Sequence, residues 1–467
     1  MALKPYAFQK EGILDLEDFL RNGGGALLAD DMGLGKTIST LWLLKRGRAG
    51  DMFPALVVCP ANVKYGWEHT AGVHADIRAQ VLEGKKPPKG GLGSELPKLT
   101  IINPDILPAW LPHLRTAGFK TFIMDESQFF SNPNSKRTRA AFDLARSVPY
   151  RIALSGTPLM NAPAELWPTL YMLRPDKFKS LWAFADLYCK PRMMRGRWQF
   201  KGARNLDKLH TSLRRILMVR RLKEDVEIEL PKKNRVVVPM ELSNRAEYEH
   251  AKSDFLGWLR KNYRNDKGRI NRAAKSIAVS RVGYLLRLAA RLKARAVVDW
   301  ANRFLTEYPE EKLVLFGVHR KMVDVLCRRV PFKSVVIDGS VTGKHRGLAV
   351  QQFRKDAETR VCIGNMRAMG VGVDGLQDVC KNAAFAEMWW VPGVHGQAED
   401  RIYRMGQTGV SWIHYLVSGG TIEEHLCKIV QTKQATIHAA LDGKEDTGSM
   451  DVHDLLIAAL EGEKNGR

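Results

Sequence analysis

Ala26-Leu27-Leu28-Ala29-Asp30-Asp31-Met32-Gly33-Leu34-Gly35-Lys36-Thr37 is the stretch that decides how this chain is read. Four apolar residues suited to a buried strand run into a loop with two glycines. Ile38-Ser39-Thr40-Leu41-Trp42-Leu43-Leu44 then continues as a helix. Glycine puts no Cβ in the way of backbone N–H groups that curl round an anion, and the positive end of the new helix faces the same point. Gly33, Gly35, Lys36 and Thr37 are therefore candidates for holding the phosphates of ATP. Lys36 would reach the β and γ phosphates, and Thr37 would place a hydroxyl on Mg²⁺. The generic pattern has glycine where this chain has Asp30, and an ordinary glycine-rich turn is the alternative for this segment taken alone.

Working outward, short apolar runs at 26–29, 55–59, 99–103, 121–125 and 151–154 alternate with helical patterns. The same alternation returns at 313–317, 334–338, 361–364, 383–386 and 412–416. This is the signature of parallel sheets with crossover helices. The expected fold is α/β, with a first lobe over 1–163, a helical, basic region over 164–303 where strand signals nearly vanish, a second lobe over 304–442, and a polar tail over 443–467. Val452, Leu455, Leu456 and Leu460 give that tail one short amphipathic stretch, suited to docking on the second lobe or on a partner.

Ligands of open parallel sheets bind beyond the carboxyl ends of the strands. The fourth run ends in Phe122-Ile123-Met124-Asp125-Glu126-Ser127-Gln128, where Asp125 suits the Mg²⁺ shell and Glu126 suits the base that polarises an attacking water. Paired acids also favour helix starts, so the pair gains meaning from the loop upstream. The next run ends in Ser155-Gly156-Thr157-Pro158, which reads both as a capped turn with proline at the first helical position and as a coupling segment. In the second half, Gly370-Val371-Gly372-Val373-Asp374-Gly375-Leu376 follows the third run. Gln397-Ala398-Glu399-Asp400-Arg401-Ile402-Tyr403-Arg404-Met405-Gly406-Gln407 predicts a helix with Arg401 and Arg404 on one face. Gly372, Asp374 and Gln397 join the candidate nucleotide contacts. The arginines join the candidate catalytic groups, because an arginine at the γ-phosphate stabilises transferred charge; outside this context such a pair is ordinary surface charge.

Among 467 residues, 73 Lys and Arg face 50 Asp and Glu, a net charge of +23 that favours a polyanionic partner. Nucleic acid is preferred over a membrane surface, since no apolar run approaches the ~18 residues of a spanning helix. Six scattered cysteines (Cys59, Cys189, Cys327, Cys362, Cys380 and Cys427) show no metal-site spacing, and residues 1–9 lack a signal-peptide core. A reducing, intracellular setting is expected, the cytoplasm of a bacterium or, for a virus, of its host.

Together these segments resemble the Swi/Snf-type double-stranded DNA translocases of helicase superfamily two, over nearly the whole chain. The resemblance implies two RecA-like parallel-sheet lobes with helical insertions between them, ATP and Mg²⁺ as cofactors, and duplex DNA, forked or branched forms included, as the partner of a monomer. It makes Pro5-Tyr6-Ala7-Phe8-Gln9-Lys10-Glu11-Gly12 the adenine-reading start, with Gln9 the base contact, and it accommodates Asp30, which the family carries. Leu56-Val57-Val58-Cys59-Pro60 with Trp67, Ile101-Ile102-Asn103-Pro104-Asp105, and Val219-Arg220-Arg221-Leu222-Lys223-Glu224-Asp225-Val226 are similar to further motifs. Ser127 and the wording of 154–167 and 390–407 resemble the annealing-helicase (HARP-type) branch. Gln128 departs from that branch's histidine at a position that couples hydrolysis to movement, and the branch's accessory recognition domains find no counterpart here.

Thirteen basic residues between 252 and 295 (Lys252, Arg260, Lys261, Arg264, Lys267, Arg269, Arg272, Lys275, Arg281, Arg287, Arg291, Lys293 and Arg295) are opposed only by Asp254, Asp266. The resemblance places them beside the duplex. A second patch, Arg192, Arg195, Arg197, Lys201 and Arg204 with Trp198 and Phe200, suits the DNA backbone or a base step. Any one of these side chains is equally at home on a solvated face. Three functions stay open: a duplex translocase, a strand-separating helicase on DNA or RNA, and a nucleotide-gated DNA-binding scaffold prompted by Gln128.

Overall fold

The computed structural model describes residues 4–430 apart from 48–50, 89–91, 93–94, 159–161, 195–196, 201–202, 224, 227–229, 264–271, 342 and 371–372. The amphipathic stretch of the tail lies outside the described residues. The chain divides into two compact units between Glu229 and Leu230, each built on one parallel sheet.

In the first unit the strands are β1 (Gly25–Leu28), β2 (Ala55–Val58), β3 (Ala79–Val81), β4 (Leu99–Ile102), β5 (Thr121–Asp125) and β6 (Tyr150–Leu154). An antiparallel hairpin, β7 (Arg192–Met194) and β8 (Arg197–Gln199), and the two-residue β9 (Met218–Val219) follow. The sheet order is β3-β4-β2-β5-β6-β1-β9, with every pairing parallel. Each of β1, β2 and β4 is buried along its whole length, as expected of strands covered by helices on both faces. The order sets β1 beside β6 and β6 beside β5, so the segments following these three strands emerge together at one sheet edge.

In the second unit β10 (Lys233–Pro239), β11 (Leu313–Gly317), β12 (Ser334–Ile337), β13 (Val361–Asn365), β14 (Asn382–Phe385) and β15 (Ser411–Val417) form the order β10-β15-β14-β11-β13-β12, again all parallel. The helix Arg272–Glu307 packs on this sheet through Ala278, Val282, Leu285, Ala289 and Leu292, spaced alternately by four and three residues.

The stretch 164–303, expected as one helical region, is shared between the units. Helices Trp167–Leu173, Leu181–Tyr188 and Leu206–Ile216 belong to the first, and Arg245–Tyr263 and Arg272–Glu307 to the second. It also holds four strands, β7 to β10, that its sequence conceals. β9 has two residues, and β10 is an edge strand whose side chains are nowhere fully buried, so neither shows a sustained apolar run. Two of the basic side chains expected on a DNA-facing surface are taken up by the fold. Lys293 is fully buried, ion-paired to Glu423 at 2.8 Å and donating to the Leu416 carbonyl at 2.5 Å. Lys252 is buried and donates to the Gly420 carbonyl at 3.3 Å. The side chains of Arg260, Lys261, Arg264, Lys267, Arg269, Arg272, Lys275, Arg192, Arg195, Arg197 and Lys201 lie outside the described residues.

Candidate functional site

The loop after β1 turns at Gly33 (φ 86°) and Gly35 (φ 76°), left-handed conformations that glycine adopts freely, and the helix Lys36–Arg46 starts on the second of them. Lys36 Nζ folds back over the loop and donates to the carbonyls of Asp30 (2.8 Å) and Asp31 (3.1 Å). Burial pulls the ammonium below its ordinary value, opposed by Glu126, Asp30, Asp125 and Asp31. A Cβ on Gly156 would come within 3.2 Å of that ammonium and 2.4 Å of Met32, so the segment after β6 lies directly against the loop.

Asp30 is anchored elsewhere. Buried completely, it accepts from Arg221 Nε at 3.0 Å, Nη2 at 2.6 Å and the backbone N–H at 3.0 Å. Arg221 also stacks on Phe8, 5.2 Å from the ring centre, and Arg220 donates to the Ala29 carbonyl at 2.9 Å. The departure from glycine thus ties the loop to the segment after β9. Gln9, also buried, donates to the Leu34 carbonyl at 2.9 Å and accepts from Tyr6 N–H at 2.9 Å, joining the first helix (Ala7–Gly23) to the same loop.

Asp125 ends β5. The indole of Trp67 donates to its Oδ2 at 2.8 Å, and the backbone N–H of Glu126 donates to its Oδ1 at 3.0 Å. Burial and the adjacent Glu126 push the Asp125 carboxyl up to about 7, with Trp67 and Lys36 pulling the other way. A divalent cation would restore its ionisation, and the Asp125 carboxylate and Thr37 hydroxyl are the hard oxygen donors that Mg²⁺ takes. Among the described residues no group of three or more His, Cys, Asp or Glu could hold a metal.

Glu126 adopts a left-handed backbone (φ 52°), rare for a side chain without local compensation. A line of hydrogen bonds surrounds it. Gln128 Nε2 donates to Glu126 Oε2 at 2.6 Å, Ser155 Oγ donates to Gln128 Oε1 at 2.8 Å, and Thr157 N–H donates to Ser155 Oγ at 3.1 Å. The two ends of one amide thereby connect the acidic segment after β5 to the segment after β6.

In the second unit, Gly372 lies outside the described residues. The expected helix stops early: it spans Pro392–Glu399, and 400–407 form turns closed by Gly406 (φ 94°), so Arg401 and Arg404 do not share a helical face. They converge by another route. Arg401 Nη1 donates to the Val373 carbonyl (2.9 Å) and to Asp374 Oδ1 (3.1 Å), and Arg404 donates to the same carboxylate oxygen. Crowding works against ionisation of Asp374, but Arg404 and Arg401 prevail and hold its carboxyl below the ordinary range. Gln397 packs 3.5 Å from where a Cβ on Gly370 would stand. The helix bearing Gln397 is pinned by Glu399, which is fully buried between Lys233 (2.9 Å), Arg235 (2.7 Å) and the Tyr415 hydroxyl (2.6 Å); burial works against its ionisation, but the two cations and the hydroxyl's hydrogen bond hold it far below the usual carboxylate value.

Trp67 and Arg221 as partners of Asp125 and Asp30 are invisible to motif reading. They stand 58 and 191 residues away along the chain, and only the strand order brings them in.

A phosphate loop, paired acids and a linkage between neighbouring strands, on one of two parallel-sheet units, define a helicase-like ATPase core. The chain belongs to the SNF2-related domain family, whose model matches residues 8–292. It is 30% identical over 472 residues to human (Homo sapiens) DNA annealing helicase and endonuclease ZRANB3, covering 98% of this chain and 41% of that protein. It is 31% identical over 438 residues to the SWI/SNF-related matrix-associated actin-dependent regulator of chromatin subfamily A-like protein 1 of Xenopus laevis, covering 91% of this chain and 43% of that protein. The chain therefore spans less than half the length of these relatives. Among solved structures, the Sulfolobus solfataricus SWI2/SNF2 ATPase core in complex with dsDNA aligns over 99% of this chain and 98% of its own, with a TM-score of 0.44 and 21% identity.

Proposed function

We propose that the chain is an ATP-dependent translocase on double-stranded DNA, acting as a monomer on plain, forked or branched duplexes, with strand annealing or fork remodelling among its outcomes. The observation that carries the ATPase half is the hydrogen-bonded line Glu126, Gln128, Ser155, Thr157 beside Lys36. It holds a carboxylate in the geometry of a base and ties it to a neighbouring segment that nucleotide would move. Gln128 keeps this linkage with an amide in place of histidine's ring.

In this reading Gly33, Gly35, Lys36 and Thr37 cradle the phosphates and Gln9 reads the base. Thr37 and Asp125 hold Mg²⁺, which neutralises charge on the phosphate oxygens when bound, and Glu126 takes the proton of the attacking water. Arg401 and Arg404 leave Asp374 to stabilise charge on the γ-phosphate, and Gly372, Asp374 and Gln397 complete the nucleotide contacts. Binding and hydrolysis shift the population between two arrangements of the units, and differential grip on phosphates turns that shift into movement. The DNA half is supported by the family, by the net charge of +23, and by the basic helices within 164–303.

The test is the ATPase rate without nucleic acid and with single-stranded DNA, duplex DNA, a fork and duplex RNA, all at one moderate salt concentration. Duplex DNA should activate most, and Lys36→Ala or Glu126→Gln should lower the activated rate by roughly 10²-fold or more. Glu126→Gln should still bind ATP. Activation by single strands alone would instead mark a strand-separating helicase.

A further inference from the structure

The hairpin β7–β8 rises from a fixed base in the first unit. Cys189 and Ala203 on either side are buried, Arg204 N–H donates to the Tyr188 carbonyl at 3.1 Å, and Asn205 Nδ2 donates to the Leu187 carbonyl at 2.9 Å. Beyond that base, aromatic rings gather in solvent. Trp198 of β8 sits edge-on to Trp182 of the neighbouring helix with ring centres 4.6 Å apart, and Phe200 approaches the same Trp182 at 5.6 Å. Met193 of β7 is directly opposite Trp198 in the register.

Rings that merely fastened the hairpin would be covered. Trp67 and Trp110, which fill the core of this unit, are 1% and 3% exposed, whereas Trp182, Trp198, Met193 and Leu187 are 44%, 46%, 53% and 54% exposed. A clustered apolar patch of this kind marks an interaction surface, unlike apolar side chains scattered singly. The surrounding sequence sets the partner's charge. Between Asp186, which pairs with Arg204 at 3.4 Å, and Asp207 there is no acidic residue, and Lys190, Arg192, Arg195, Arg197 and Lys201 are basic. Flat π-faces beside dense positive charge suit a polyanion that carries flat rings of its own, in which every base offers a face for stacking whatever its identity. A paired base inside a duplex does not offer that face, so the fitting ligand is unpaired.

We infer that β7–β8, with Trp182 behind it, is a platform on which unpaired DNA bases stack where a duplex opens, so that the chain distinguishes forks and junctions from plain duplex. This rests on the duplex-DNA reading above. The rings work by stacking, and the basic sequence around them favours a ligand that carries phosphates.

The test uses the full chain and measures its affinity for a blunt duplex and for a fork of the same duplex with single-stranded arms, 2-aminopurine marking the first unpaired base. Wild type should prefer the fork and quench the probe. Trp198→Ala should lose roughly ten-fold in fork affinity, the size expected for one lost stacking contact, with little change on the duplex, and Trp198→Phe should keep most of the preference. An unchanged fork-to-duplex ratio in Trp198→Ala overturns the inference. So does an equal fall on both substrates, or a loss confined to anionic phosphatidylglycerol vesicles. Fork binding that depends on Trp198 without any duplex activation of the ATPase would sink the translocase reading and leave the platform standing.

Discussion

Asp30 shows how much one side chain in a phosphate loop can hold outside it. The generic loop pattern has glycine there, and a glycine would relieve the loop of a buried carboxylate. Burial pushes the Asp30 carboxyl upward, while the Arg221 hydrogen bonds, its charge and Lys36 pull it back. Asp30→Gly would nevertheless leave the Arg221 guanidinium, only 15% exposed, without its carboxylate. Removing one partner of a buried pair is far more damaging than the pair is stabilising, so this variant should lose about 3 kcal/mol. A urea-unfolding midpoint at or above that of wild type would show that Asp30 is no anchor. The same residue marks a limit of motif reading: its position in the loop is plain from the sequence, but the partner that explains it is 191 residues away.

At the scale of elements, what could be read was what burial writes into consecutive residues. The strands at the centre of both sheets are largely apolar runs, so β1, β2, β4, β5, β6, β11 and β13 to β15 were legible to within a residue or two, as was the edge strand β12, which buries one face. The edge strands β3 and β10 have no fully buried residue and β9, though buried, has only two residues, so these three left no such trace. The end of the helix Pro392–Glu399 was likewise hidden, because Glu399 turns inward to Lys233 and Arg235 on β10, a strand the sequence did not announce. That helix also carries His395, fully buried against Phe385 and Tyr415, its Nε2 3.0 Å from the Trp389 carbonyl, to which the protonated ring donates, and 3.1 Å from the Trp389 N. Burial lowers its pKa to about 4, with the Trp389 backbone and Glu399 opposing. An unfolded histidine titrates near 6.5, so between there and about 4 the unfolded chain takes up a proton that the folded one refuses. This contribution to stability is whole above pH 6.5 and is lost as the pH falls toward 4. Relative to His395→Leu, wild type should lose roughly 2 kcal/mol between pH 7.5 and 5 by urea unfolding. A difference that held constant over that range would mean that His395 is protonated without opening the fold.

For the whole molecule the question is which of the many cations meet the DNA. Net charge alone assigns none of them, and the fold already removes Lys293, whose ion pair with Glu423 is sealed from solvent. On the helix Arg272–Glu307, Arg287, Arg291 and Arg295 are exposed along one face with Tyr284. Arg291 pairs with Glu247 and Arg295 with Asp299, but both pairs are open to water and such surface pairs are weak, so phosphate can displace the carboxylates. If this face grips the duplex, each arginine releases counterions on binding, and its loss reduces the salt dependence of affinity rather than sequence preference. Duplex affinity plotted as its logarithm against that of salt concentration should therefore flatten by roughly one unit for Arg287→Ala and again for Arg291→Ala. The paired change Lys293→Met with Glu423→Leu, which removes a cation from the same helix without leaving an unpaired charge, should not alter the slope. If all three variants keep the wild-type slope, the duplex is held by other cations, and the assignment of this helix to DNA falls while the ATPase reading stands. If the double variant, which leaves the net charge unchanged, flattens the slope as much as the arginine variants do, the slope does not report phosphate contacts of the exposed face, and the assignment of this face to DNA falls.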